Sequence, residues 1–105
     1  MAQQSVVSGV CTSVYTDLDG SICVVYRGTV VVRVSPDTVA LNTGGWSTST
    51  TKTRMNQAAN QYALGYVVYQ KDFEWFVKTE AGTFPFLGTV FYLDRETMKP
   101  REAQP

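Results

Sequence analysis

One stretch of this chain carries apolar residues at helical spacing, and it stands alone. Met55, Ala58, Ala59 and Tyr62 recur three and four residues apart, so they fall on one face of a helix expected over about Thr51 to Leu64. Gly65 is the expected stop, because glycine enters the left-handed conformation without a Cβ clash. The two alanines let that helix sit close to whatever it covers. Nearly every other patterned segment alternates at period two, so the chain has to fold as a sheet covered by a single helix.

The strands follow from β-branched content and from the turns between them. Ser5 to Thr16 reads as a strand, with Val6, Val10 and Val14 on one face, and Asp17-Leu18-Asp19-Gly20 turns it back into Ile22 to Tyr26. Arg27-Gly28 makes a second tight turn into Thr29 to Val34, and Ser35-Pro36-Asp37-Thr38 leads to a short strand, Val39 to Asn42. After the helix come Tyr66 to Gln70, a turn at Lys71-Asp72, and Phe73 to Lys78. Thr83 to Leu87 and Thr89 to Leu93 complete the pattern. Pro85 argues that its segment is an edge or a loop. The expected architecture is α+β: a mostly antiparallel sheet of six or seven strands with one central helix packed on it. It forms a single domain over residues 1–95, and the unpatterned residues 96–105 are expected to be a flexible C-terminal tail.

Composition removes several chemistries. The chain has 105 residues, no net charge and no histidine, so the usual general base and the commonest metal ligand are missing. Cys11 and Cys23 are too few for a zinc site. A hairpin at Asp19-Gly20 sets Cys23 opposite Thr16 instead of Cys11, so two buried, reduced thiols are expected. No apolar run is long enough to span a membrane. Asp72 and Glu74 are the nearest approach to a catalytic pair, but no metal site or positioned acid joins them, and exposed edge charges account for them. The chain is therefore expected to be no enzyme and to need no cofactor.

Charge is unevenly placed. From Thr38 to Lys71 there is no Asp or Glu, while Lys52, Arg54 and Lys71 are present, so any attraction for an anion is local to this window. Lys52 and Arg54 fall in the first turn of the expected helix, at the positive end of its dipole, and no Glu or Gln closes a capping box behind Ser49, Thr50 or Thr51. Each such charge costs roughly 0.3–1 kcal/mol when exposed at low salt. An anion on the first-turn amides would reverse that sign, with the Ser/Thr run and Gly44-Gly45 beside it. Side chains extending into water would leave nothing to explain.

Around the helix, Arg54, Gln57 and Gln61 form one row and Thr53, Asn56 and Asn60 the next. Lys and Glu would fill a merely solvated face with better helix propensity. Asn and Gln can pair with base edges, and Arg can take phosphate. A protein partner or plain solvation would also suit such a face. Trp46, in the loop after Gly44-Gly45, either folds back onto the core or offers its ring to a base. Trp75, mid-strand, reads as core.

Leu41-Asn42-Thr43-Gly44-Gly45-Trp46, then Thr50-Thr51-Lys52, Arg54-Met55-Asn56-Gln57, Gln70-Lys71-Asp72-Phe73 and Trp75-Phe76-Val77 together resemble a group of small uncharacterised proteins encoded by tailed bacteriophages. The resemblance covers the central third of the chain and leaves out the strands before Val39 and the residues after Leu93. It implies a phage accessory protein working in the bacterial cytoplasm, of a kind that counters host defence or takes over host processes. It carries no activity to transfer. Two functions are expected. One is non-catalytic binding of a nucleotide or single-stranded nucleic acid through Trp46, Ser49, Thr50, Thr51, Lys52, Arg54, Asn56, Gln57, Asn60 and Gln61. The other is a protein-interaction module that inhibits a host or phage complex by its sheet edge or helix face. A strand-rich domain of this size can also form a homodimer through an edge.

Overall fold

The computed structural model of the chain describes residues 11–45 and 48–101. Its elements are β1 (Thr12–Thr16), β2 (Ile22–Tyr26), β3 (Thr29–Val34), β4 (Thr38–Asn42), α1 (Ser49–Gln61), β5 (Val67–Lys71), β6 (Glu74–Thr79), β7 (Gly82–Pro85) and β8 (Val90–Asp94). The α+β expectation holds, and all the strand pairs are antiparallel. The strands form two sheets, not one: β1-β2-β3-β4-β8 and β5-β6-β7. The division arises because β8 returns to pair with β4 instead of extending β7. Helix α1 spans the two sheets, packing on β2 and β3 of the larger and on β5 of the smaller.

Registry decides which side chains meet. Ile22, Val24, Val32, Val34, Val39, Leu41, Phe91 and Leu93 lie opposite one another across β2, β3, β4 and β8, and so line one face. Between Val24 and Val25 the register slips. Val31, left over by the slip, is also buried, as a bulge allows. The smaller sheet contributes Val68, Trp75 and Val77, and the helix Met55, Ala58 and Ala59. Trp75, Phe86 and Phe91 stand in line with ring centroids 5.9 and 5.6 Å apart and tie the sheets together. Each fully buried Val, Leu or Met in such a core stabilises it by about 1.5–3 kcal/mol.

Several expectations change. Helix α1 begins at Ser49, because the Thr48 side chain accepts from the Thr51 amide and caps it, and Tyr62 is already its C-cap. The β1–β2 loop is wider than anticipated: Thr16 pairs with Ile22, so Tyr15 opposes Cys23. Cys23 is buried but Cys11 is exposed, and both thiols are free. The turn expected at Lys71-Asp72 is Asp72-Phe73, at φ 52° and 68°. Phe73 is thereby 95% exposed instead of packed beside Trp75. Residues 1–10, and with them the first half of the expected opening strand, lie outside the described residues.

The segment 96–101, expected to be part of a flexible tail, is folded back on the sheet. The Asp94 carboxylate accepts from the amides of Glu96 and Thr97 at 2.8 and 3.1 Å and reverses the chain. Met98 is then buried, and its carbonyl accepts from Thr79 Oγ1 at 2.6 Å. The Arg101 amide donates to Tyr92 O at 2.8 Å, so this segment covers the free edge of β8. The last four residues lie outside the described ones.

Candidate functional site

Beside the start of α1 lies a cavity of about 560 Å³. Tyr26, Arg27 and Thr29 come to it from the β2–β3 hairpin, Val31 forms part of its wall, and Thr43, Thr48, Thr50 and Thr51 arrive from the end of β4 and the helix start. Local sequence explains each placement. Arg27-Gly28 is a two-residue turn with φ 51° and 78°, the left-handed pair that matches strand twist. The register slip turns Val31 inward. Gly44 passes so close to the hairpin that a Cβ there would sit 2.8 Å from the Thr29 side chain. The turn just after β4 is held by Asn42 Oδ1, which accepts from the Gly44 amide at 2.8 Å, and by Thr43 Oγ1, which accepts from the Gly45 amide at 3.2 Å.

The electrostatics are one-sided. Arg27 lines the cavity and no carboxylate does, among the described residues. The first turn of α1 has no acidic residue. Ion pairs among the described residues lie elsewhere: Arg33 with Asp17 and Asp19, and Arg101 with Asp37. The Asp17 carboxyl is held below the usual carboxylate range by the Leu18 amide and then by Arg33, so that turn consumes its own charges. The Tyr26 ring has the guanidinium carbons of Arg54 and Arg27 at 5.6 and 5.8 Å from its centroid.

A family model described as Kyanoviridae Gp96 protein matches residues 1–96. The chain belongs to that family. It is therefore a phage protein, as the central motifs suggested. The match also takes in the strands before Val39 that the resemblance left out. No curated protein and no solved structure matches the chain. No helix among the described residues is long and apolar enough to cross a membrane.

In this family member the expected site residues divide into groups. Thr50 and Thr51 line the cavity, while Ser49 is exposed at the first helical position beside it. Trp46 lies outside the described residues. Lys52 stands 5.7 Å over the Trp75 ring. The early helix start moves Arg54 into the second turn, where its Nε donates to Thr12 Oγ1 at 2.7 Å and its Nη1 to Gln57 Oε1 at 3.3 Å. Gln57 is buried. Asn56 Nδ2 donates to Val68 O at 2.9 Å, and its Oδ1 accepts from the Val68 amide at 2.8 Å. Asn60 and Gln61 remain exposed. Asp72 sits in the turn, and Glu74 opposes Lys71 across the hairpin.

Tyr26, Arg27, Thr29, Thr43 and Thr48 escaped the sequence reading. Their local signals were those of a hairpin and a loop. Nothing in their spacing ties an arginine at a β-turn to a helix cap some twenty residues later; the β3–β4 pairing does that.

Proposed function

We propose that this phage protein is a non-catalytic binder of a phosphate-bearing small ligand, a nucleotide, held in the cavity at the start of α1. The observation that carries the reading is the lining itself: one guanidinium, five threonines, an aromatic ring and no carboxylate among the described residues. A phosphate would lie between Arg27 and the amides of Ser49 and Thr50, which stand in the first helical turn, where amides lack intrahelical partners. Tyr26 and Val31 offer an apolar wall for a base. The volume lies within the roughly 300–1,000 Å³ typical of small-ligand sites. Asn56 and Gln57, taken up in holding the helix, leave the helix face less to offer a polynucleotide. In an infected cell such a protein would sequester a host nucleotide and so blunt defence signalling or redirect host processes.

Arg27→Asn is the discriminating variant, because Asn tolerates the left-handed backbone of that turn. Native mass spectrometry and titration calorimetry with nucleoside mono- and diphosphates should show binding to the wild type. Arg27→Asn should weaken it by at least about tenfold, the worth of one charge-assisted hydrogen bond, with an unchanged melting temperature. Equal affinity in both proteins refutes the site. Binding of a single-stranded oligonucleotide without any mononucleotide refutes the small-ligand version.

A second reading, a protein-interaction module acting on a host or phage complex, draws on the exposure of Phe73 and Leu87, 95% and 75%. Recovery of a stoichiometric protein partner from infected cells, with no retained nucleotide, would favour it.

A further inference from the structure

Phe73 combines two features that each oppose folding. Its ring is 95% exposed, and its backbone sits at φ 68°, in the second position of a two-residue turn that favours glycine. A glycine would serve the turn better and expose no apolar surface. We propose that Phe73 is an anchor that seats in a groove on a second copy of this chain, giving a two-fold dimer in which each copy contributes one ring and one groove.

That groove lies between the end of β7 and the segment covering β8. It is open, holds about 560 Å³, and is lined by Pro85, Leu87, Val90, Tyr92, Pro100 and Arg101 among others. It is near the anchor. The Phe86 amide donates to Trp75 O at 2.8 Å, carrying the β6–β7 ladder beyond Pro85. That bond sets Phe86, one residue before the groove's Leu87, against β6, the strand that leaves the Phe73 turn. The groove thus adjoins the strand that the Phe73 turn leads into, and a two-fold contact would seat each ring in the other copy's groove.

Charge agrees with this pairing. Asp72 and Glu74 flank the ring, while Arg101 lines the groove and remains one-third exposed even as its Nη1 holds Asp37 and Thr38. Dimerisation through the edges of the smaller sheet is disfavoured: Asn56 occupies the Val68 amide and carbonyl on one side, and Pro85 lacks an N–H on the other. The inference shares no residue with the nucleotide cavity and stands or falls separately from it.

Sedimentation equilibrium on the full chain tests it. The wild type should show a monomer–dimer equilibrium. Phe73→Gly should weaken the dimer by at least about thirtyfold, the scale of an interface hot spot, without lowering the melting temperature. Leu87→Glu, which places a carboxylate in the groove, should do the same while keeping its own ring. Mixing the two variants should restore part of the association, because one ring and one groove survive between them. A wild type that stays monomeric, a Phe73→Gly dimer as tight as the wild type, or a mixture with no recovery each overturns the proposal. Species larger than a dimer overturn it as well, since they mean head-to-tail contacts.

Discussion

Tyr66 shows how one side chain can set a pH limit. It is buried, its hydroxyl donates to Met55 O at 2.8 Å, and burial pushes its phenol well above the ordinary value near 10. The neutral form is thus the folded form. Its contribution is fully present below the unfolded tyrosine pKa of about 10 and is lost as pH rises beyond it, because the unfolded chain releases the proton first. Tyr66→Phe should cost about 0.5–1.5 kcal/mol at neutral pH and flatten the alkaline loss of stability. Chemical denaturation at pH 8 and at pH 11 checks both; parallel slopes for the two proteins would refute the assignment. Nothing in the sequence around Tyr66 marks it, since a tyrosine beginning a strand is usually half exposed.

The helix, taken as an element, owes its position to polar side chains as much as to its apolar face. Met55, Ala58 and Ala59 were legible as the buried stripe, because period alone defines a face. For the polar rows beside it the residues suit a ligand, a protein partner or plain solvation, and the structure takes Arg54 and Asn56 into the fold. Asn56 is spliced into the edge of β5 as if it were another strand residue, and Arg54 reaches β1 and braces the Tyr26 ring. A carboxamide aimed at solvent and one aimed at a strand have the same sequence; only the nearby Val68 backbone distinguishes them. Asn56→Ala should cost about 1–3 kcal/mol, since it leaves a part-buried amide and carbonyl without partners. That loss lowers the melting temperature by roughly 4–8 °C per kcal/mol in a domain of this size. Hydrogen exchange at the Val68 amide should accelerate with it, and a protected Val68 would contradict this role.

At the scale of the molecule, closure depends on the last described residues. The segment 96–101 covers the β8 edge and buries Met98 against Thr79 and Gly65, whose added Cβ would come within 3.0 Å of the methionine methyl. Met98→Ala should therefore destabilise the whole fold by about 2 kcal/mol, at the low end for a core methionine, whereas a residue in a loose tail would change nothing. Thermal unfolding distinguishes the two. No local signal marks it, because a single methionine in a polar stretch has no period, and its burial depends on what lies opposite.

Strand and helix identity and the antiparallel pairing of β1 to β4 were readable from residue order, because turns and hydrophobic period are local properties; the phage origin was implied by the family resemblance instead. The division into two sheets, the lining of the cavity and the fate of each carboxamide were not. Those depend on which distant segments come to lie side by side, and a chain's local chemistry is the same whether a polar group finds water, a backbone edge or a ligand.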